Sequence, residues 1–285
     1  MAKFYKHKKI SDNLYVITDA AMTNIYLVIG EKRAFLIDTG LGIGNLKDYV
    51  QTLTSKPVTI LLTHGHLDHA MGAGSFGGDV DIYMNPADVK LYREHGKLPM
   101  REDYYKGMKL FRGFKGILYP PKKEDWMEPA PVSRMKNLEA GMTFDIGTEV
   151  LEICPGKGHT PGCITVLLQK HRMLILGDAC NQGTFLFDDY CSTVSEYRNM
   201  LLDLHNKTKG RCDRYLMFHG FSCYGEMDLI EGSIRLCELI LQGKDRHIST
   251  ERMGKPCYLA KKYLRKDDIG DHSTANIIYS DATLG

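Results

Sequence analysis

The heptapeptide Thr63-His64-Gly65-His66-Leu67-Asp68-His69 puts three imidazoles and a carboxylate within six residues, after the apolar run Val58 to Leu62 and before Gly72-Ala73-Gly74. Packing gives no reason for such crowding, because each of these groups needs water or a partner. Imidazole nitrogen and carboxylate oxygen are the donor types that zinc and related first-row ions take. A solvated polar turn after a strand would account for one His-x-His, but it accounts poorly for this cluster. One loop cannot surround two ions, so further donors must come from distant segments. His159 lies in Pro155-Gly156-Lys157-Gly158-His159, after Val150 to Cys154; Asp178 closes Met173 to Gly177; His219 closes Tyr215 to Phe218. Each is a polar residue at the exit of a strand-like run, beside glycine that allows close approach. Singly, each reads as an ordinary strand-to-loop residue. In order after the heptapeptide, they read as a set.

On these residues the chain resembles the metallo-β-lactamase-fold superfamily, with Asp38 in Phe35-Leu36-Ile37-Asp38-Thr39-Gly40 as the buried acid beside the metal loop. The resemblance covers residues 12 to 241 or so and points to the glyoxalase II and lactonase-like dinuclear branch. It implies an α/β fold, a four-layer αββα sandwich of two mixed β-sheets flanked by helices. It also implies that His64, His66 and His159 hold one metal, that Asp68, His69 and His219 hold a second, and that Asp178 bridges them. The cofactors implied are two divalent metal ions, with Zn2+ the default and Mn2+ or Fe acceptable to the same donors. The implied chemistry is hydrolysis by a metal-bound hydroxide, with Asp68 as the catalytic group that orients it and relays a proton.

The expected substrate is a small molecule with an ester, thioester or lactone-like carbonyl. The alternatives are a phosphodiesterase on the same metal pair, an iron-dependent redox protein, or a non-catalytic metal-binding module. Against the first alternative, 37 basic residues face 35 acidic ones, so composition offers no polyelectrolyte argument for nucleic acid. Against the redox alternative, there is no attached flavin or iron–sulfur domain. β-Lactamase activity is disfavoured by Asp178 and by the lack of an export signal: Met1 to Lys9 is basic without a following apolar stretch. No run approaches the ~18 apolar residues of a membrane helix, so neither membrane nor nucleic acid is expected as a partner. Eight scattered cysteines without a Cys-x-x-Cys point to reduced thiols and a cytoplasmic protein.

The elements that must position these residues follow from pattern. Strands are expected near 14–18, 24–29, 33–38 and 58–62, then near 143–146, 149–153, 163–168, 173–177 and 215–218. Helices fit 45–54, 193–206 and 226–241; in the last, Met227, Ile230, Ile234, Cys237 and Leu241 recur at helical spacing. The 285 residues read as a single domain with an insertion at 86–138, rich in Tyr104, Tyr105, Phe111, Phe114, Tyr119 and Trp126. This insertion is expected either to wall the substrate pocket, with 96–128 covering the metal edge, or to pack on itself or a second subunit. Residues 244–272 are highly charged, unlike the C-terminal helical domain of glyoxalase II, and 275–279 read as a closing strand. His7, His95, His171, His205, His247 and His272 read as surface or helix residues. Cys180 is a weak candidate ligand, and Lys157 and Tyr224 are loop neighbours able to touch substrate.

Overall fold

Four of the seven candidate ligands leave the end of one strand, Val58–Leu61, which lies between two parallel neighbours. The computed structural model describes residues 3–108, 120–220, 222–262 and 269–285, and it divides into two compact units. The first holds Met1–Glu139, Thr143–Val150 and Phe218–Cys223; the second holds Ala140–Met142, Leu151–Met217 and Tyr224–Gly285.

In the first unit, β1 (Lys6–Ser11), β2 (Leu14–Thr18), β3 (Asn24–Ile29), β4 (Ala34–Ile37), β5 (Val58–Leu61), β6 (Ile82–Met84) and β7 (Met135–Asn137) lie side by side in chain order. The first four run antiparallel; β4 to β7 run parallel. β3 and β4 are apolar without alternation and buried along nearly their whole length, the pattern of central strands covered on both faces. β1, with sequence KHKKIS, is exposed along most of its length and guards the edge with lysine, so hydrophobic pattern does not reveal it. The parallel register Ile37↔Leu61 sets Asp38 beside the residues that open the heptapeptide. Helices α1 (Leu46–Gln51), α2 (Leu67–Ala70), α3 (Val89–His95) and α4 (Leu98–Gly107) fill the connections. The short strand β8 (Thr143–Asp145) is counted with this unit.

The second unit has a mixed sheet ordered β14-β13-β11-β10-β9, from β9 (Val150–Pro155), β10 (Ile164–Leu168), β11 (Met173–Ile175), β13 (Arg214–Leu216) and β14 (Tyr224–Gly225). Its helices are α5 (Val194–Thr208), opened by a Thr193–Glu196 capping box, and α6 (Leu229–Leu241). Tyr197, Leu201 and Leu204 of α5 share an apolar cluster with Ile230, Leu236 and Ile240 of α6 and with Leu174 and Leu176. A further sheet, ordered β12-β17-β16-β15, joins the expected closing strand β17 (Ile277–Tyr279) to three strands the sequence pattern does not announce, β12 (Thr184–Leu186), β15 (Ile248–Arg252) and β16 (Lys255–Leu259). The hairpin β15–β16 occupies the charged tail because its outward residues carry the charge while Cys257 and Leu259 are buried. Mixed sheets with flanking helices are the expected fold class. Among the described residues no helix is long and apolar enough to cross a membrane.

Candidate metal centre

His69 is the most constrained of the candidate ligands. Its Nδ1 lies 2.7 Å from Asp38 Oδ2, and both side chains are fully buried. A carboxylate only accepts, so Nδ1–H donates and the Nε2 lone pair faces outward. That is how a carboxylate fixes a metal-binding imidazole. Asp38 is itself held: its Oδ1 accepts from the Thr63 N–H and its Oδ2 from the Thr63 hydroxyl, both at 2.7 Å. Burial pushes the Asp38 carboxyl up, and the hydrogen bonds from His69 and Thr63 pull against that. Its backbone sits at φ 62°, a left-handed conformation that Asp tolerates better than most residues.

His69 Nε2 meets His219 Nε2 at 3.1 Å, and Asp68 Oδ2 lies 3.7 Å from the first and 3.5 Å from the second. Two imidazole lone pairs cannot face each other at that distance without a cation or proton between them. Two donors each about 2.05 Å from a tetrahedral ion lie about 3.3 Å apart, and the observed separations bracket that value. The residues present therefore fit a metal. His219 reaches this place because the Phe218 carbonyl accepts from the Asn24 N–H at 2.9 Å, while the Phe218 ring packs edge-on against Tyr26.

His64 and His66 occupy the same loop, their ring centroids 4.7 Å apart. Asp88, which follows β6, accepts from the Gly65 N–H at 2.8 Å, so a second strand end pins the loop. A side chain at Gly65 would press on the Asp88 carbonyl at 2.9 Å. His95 was expected to be a bland helix residue. It ends α3, yet its ring stacks on His66 at 4.7 Å and 10°, fixing the plane of a candidate ligand. No pattern in the sequence points to that pairing.

The insertion divides its roles. Tyr104 of α4 donates to Asp68 Oδ2 at 2.7 Å. Tyr105 is buried and meets Trp126 edge-on at 6.0 Å, and the Arg101 guanidinium lies 5.3 Å from the Trp126 ring. Those aromatics pack. Phe111, Phe114 and Tyr119 lie outside the described residues. Arg101, unremarked in the sequence, is 2% exposed and donates to the carbonyls of Leu41, Gly42 and Met127. Asp19 grips the same turn from behind, accepting from the N–H groups of Ala21, Thr23 and Leu41; burial pushes its carboxyl up to about 6.

In the second unit, His159 Nδ1–H donates to the Phe185 carbonyl at 2.9 Å, which leaves its Nε2 3.7 Å from Asp178 Oδ2. Tyr197 supports both loops. Its hydroxyl donates to the Ala179 carbonyl at 2.8 Å, and its ring fills the space a side chain at Gly158 would need. Cys180 is a core thiol: its sulfur meets the Leu229 carbonyl and the Ser233 hydroxyl, and burial pushes it up to about 11. Lys157 is exposed, and Tyr224 lies under the Arg214 guanidinium.

The model of the metallo-beta-lactamase superfamily matches residues 18–215. The chain belongs to that superfamily. Its members are hydrolases that typically bind metal ions, and the donor groupings described above agree with that chemistry. The acyl-coenzyme A thioesterase MBLAC2 of Gallus gallus is 23% identical, over 94% of this chain and 89% of that protein. The probable metallo-hydrolase YqgX of Bacillus subtilis is 23% identical over 65% of this chain and 77% of its own. Among solved structures, the metallo-beta-lactamase from Pontibacter korlensis aligns with a TM-score of 0.58 at 19% identity, covering 82% of this chain and 99% of that one. At that identity the structural likeness shows the metallo-beta-lactamase fold alone.

Proposed function

We propose that the chain is a two-metal hydrolase of acyl thioesters whose leaving group is a coenzyme A-type thiol. The observation that carries this reading is the Asp38–His69 pair, which turns an imidazole lone pair toward His219 and Asp68 at metal-like separations. In this reading His69, His219 and Asp68 would hold one ion and His64, His66 and His159 the other, with Asp178 as a further donor. Zinc is the default ion for this donor set. When bound, such ions supply Lewis acidity and bring the pKa of a water in the site to about 7.

The chain's own residues supply orientation. Asp38 keeps His69 in the ligating tautomer, and Asp68 orients the attacking water and relays its proton to the departing sulfur. A C–O bond forms, the C–S bond breaks, and a carboxylic acid and a thiol leave. A thioesterase similar along 94% of this chain supports the choice of bond.

The test offers zinc-reconstituted protein a series of acyl-coenzyme A esters, a glutathione thioester, a lactone and a nitrophenyl phosphodiester. Thiol release is read colorimetrically for the thioesters, acid release by a pH indicator for the lactone and nitrophenolate release for the phosphodiester. Turnover of acyl-coenzyme A esters that a chelator abolishes and zinc restores is the expected result. Phosphodiester cleavage with no thioester turnover would overturn the reading.

A further inference from the structure

α4 reaches the candidate metal ligands from a part of the chain that carries none of them. Tyr104 donates its hydroxyl to Asp68 Oδ2 at 2.7 Å, and this is the same oxygen that faces His219 and His69. The hydroxyl is aimed by an anchor one turn earlier. Residues three apart on a helix share a face, and Arg101 on that face is buried with its guanidinium spent on the carbonyls of Leu41, Gly42 and Met127. Gly42, at φ 76°, makes room for that guanidinium: a side chain there would lie 2.6 Å from its Nη2. Asp68, in contrast, sits on a helix of four residues, and Tyr104 brings its carboxylate a hydrogen bond from outside that helix.

We propose that Tyr104 is a positioning residue that holds the Asp68 carboxylate in its ligating rotamer and thereby sets the affinity of the ion held with His69 and His219. The proposal rests on the metal reading above. A hydrogen bond from a phenol draws some charge off the ligating oxygen, which weakens it as a donor. Fixing the rotamer outweighs that loss, because groups that orient metal ligands are typically worth 10–100-fold in metal affinity. The competing account is that Tyr104 merely packs and its bond to Asp68 is incidental.

The experiment compares the full-length protein with Tyr104→Phe, titrating zinc against a chromophoric chelator with no substrate present. The expected result is that one of two ions binds about 10–100-fold more weakly, while the other and the unfolding temperature of the metal-free protein stay near wild type. Tyr104→Phe placed in an Asp68→Ala background, which leaves the hydroxyl no acceptor at that position, should then add nothing, since its effect runs through Asp68. Zinc affinities within twofold of wild type, or a full Tyr104→Phe effect persisting beside Asp68→Ala, would overturn the proposal. So would a wild-type protein that binds no zinc. Normal zinc binding without thioester turnover would instead sink the proposed substrate and leave Tyr104 standing.

Discussion

Asp38→Asn separates the role of the buried acid from its bulk. Asn tolerates the left-handed backbone found there, at φ 62°, so the substitution leaves the turn intact. The amide group must take one of two orientations. With its NH2 at the Oδ2 position it opposes the His69 Nδ1–H, and His69 escapes only by moving its proton to Nε2, which removes the lone pair that faces His219 and Asp68. With its NH2 at the Oδ1 position it opposes the Thr63 N–H instead. A buried donor left facing a donor costs about 1–3 kcal/mol. Burial had pushed the Asp38 carboxyl up, so removing its charge returns part of that cost to the fold. Metal-free stability should therefore fall by no more than about 2 kcal/mol, some 4–8 °C in a chain of this size. Zinc affinity should fall about 10–100-fold. Calorimetry without metal and chelator competition with zinc read the two quantities separately. Zinc affinity within twofold of wild type, in a folded protein whose His69 proton is found on Nε2 by NMR before metal is added, would refute the tautomer argument.

Other outcomes follow from the same structure. His219→Ala and His159→Ala should each lower zinc content by about one ion per chain while the protein stays folded, as elemental analysis would read; full occupancy in both would show them to be bystanders. Gly74→Ala should destabilise strongly, because the new methyl overlaps the Glu128 carbonyl oxygen; a midpoint of denaturation within error of wild type would contradict that packing. Arg211, with help from Gln169, holds the Glu152 carboxyl below its usual range. A depressed folded value stabilises above the unfolded value, near pH 4.5, and that support is lost as pH falls through the folded value. Glu152→Gln should thus cost under about 1 kcal/mol at neutral pH, the pair being partly exposed. The gap to wild type should close in acid, and one that widens there would reverse the argument.

The donor cluster was legible because its chemistry is local. The 64–69 loop carries its residue types in sequence, and His159, Asp178 and His219 each interrupt an apolar run where a strand must end. β2 to β5 were legible for the same reason. Tyr104, His95 and Arg101 were not, because each acts through a partner dozens of residues away on a helix whose own pattern says nothing of it. The hairpin β15–β16 hid behind its charges, since only one face of it is buried. β6, β7 and β12 are three residues long and, unlike the equally short β11 and β13, do not sit in an apolar run of four or more residues.

Tyr197 couples the two donor loops of the second unit to each other. In the first, each part of the donor group has its own support: Asp38 for His69, Asp88 for the backbone at Gly65, Tyr104 for Asp68. Damage there should be piecemeal, with one ligand loosening while its neighbours hold. The loops of His159 and Asp178 also have contacts of their own, such as the His159 bond to the Phe185 carbonyl, but they share one phenol, through its ring at Gly158 and its hydroxyl at Ala179. A change at α5 that shifts Tyr197 would therefore disturb both loops together, so its effects on the two donors should rise and fall in step.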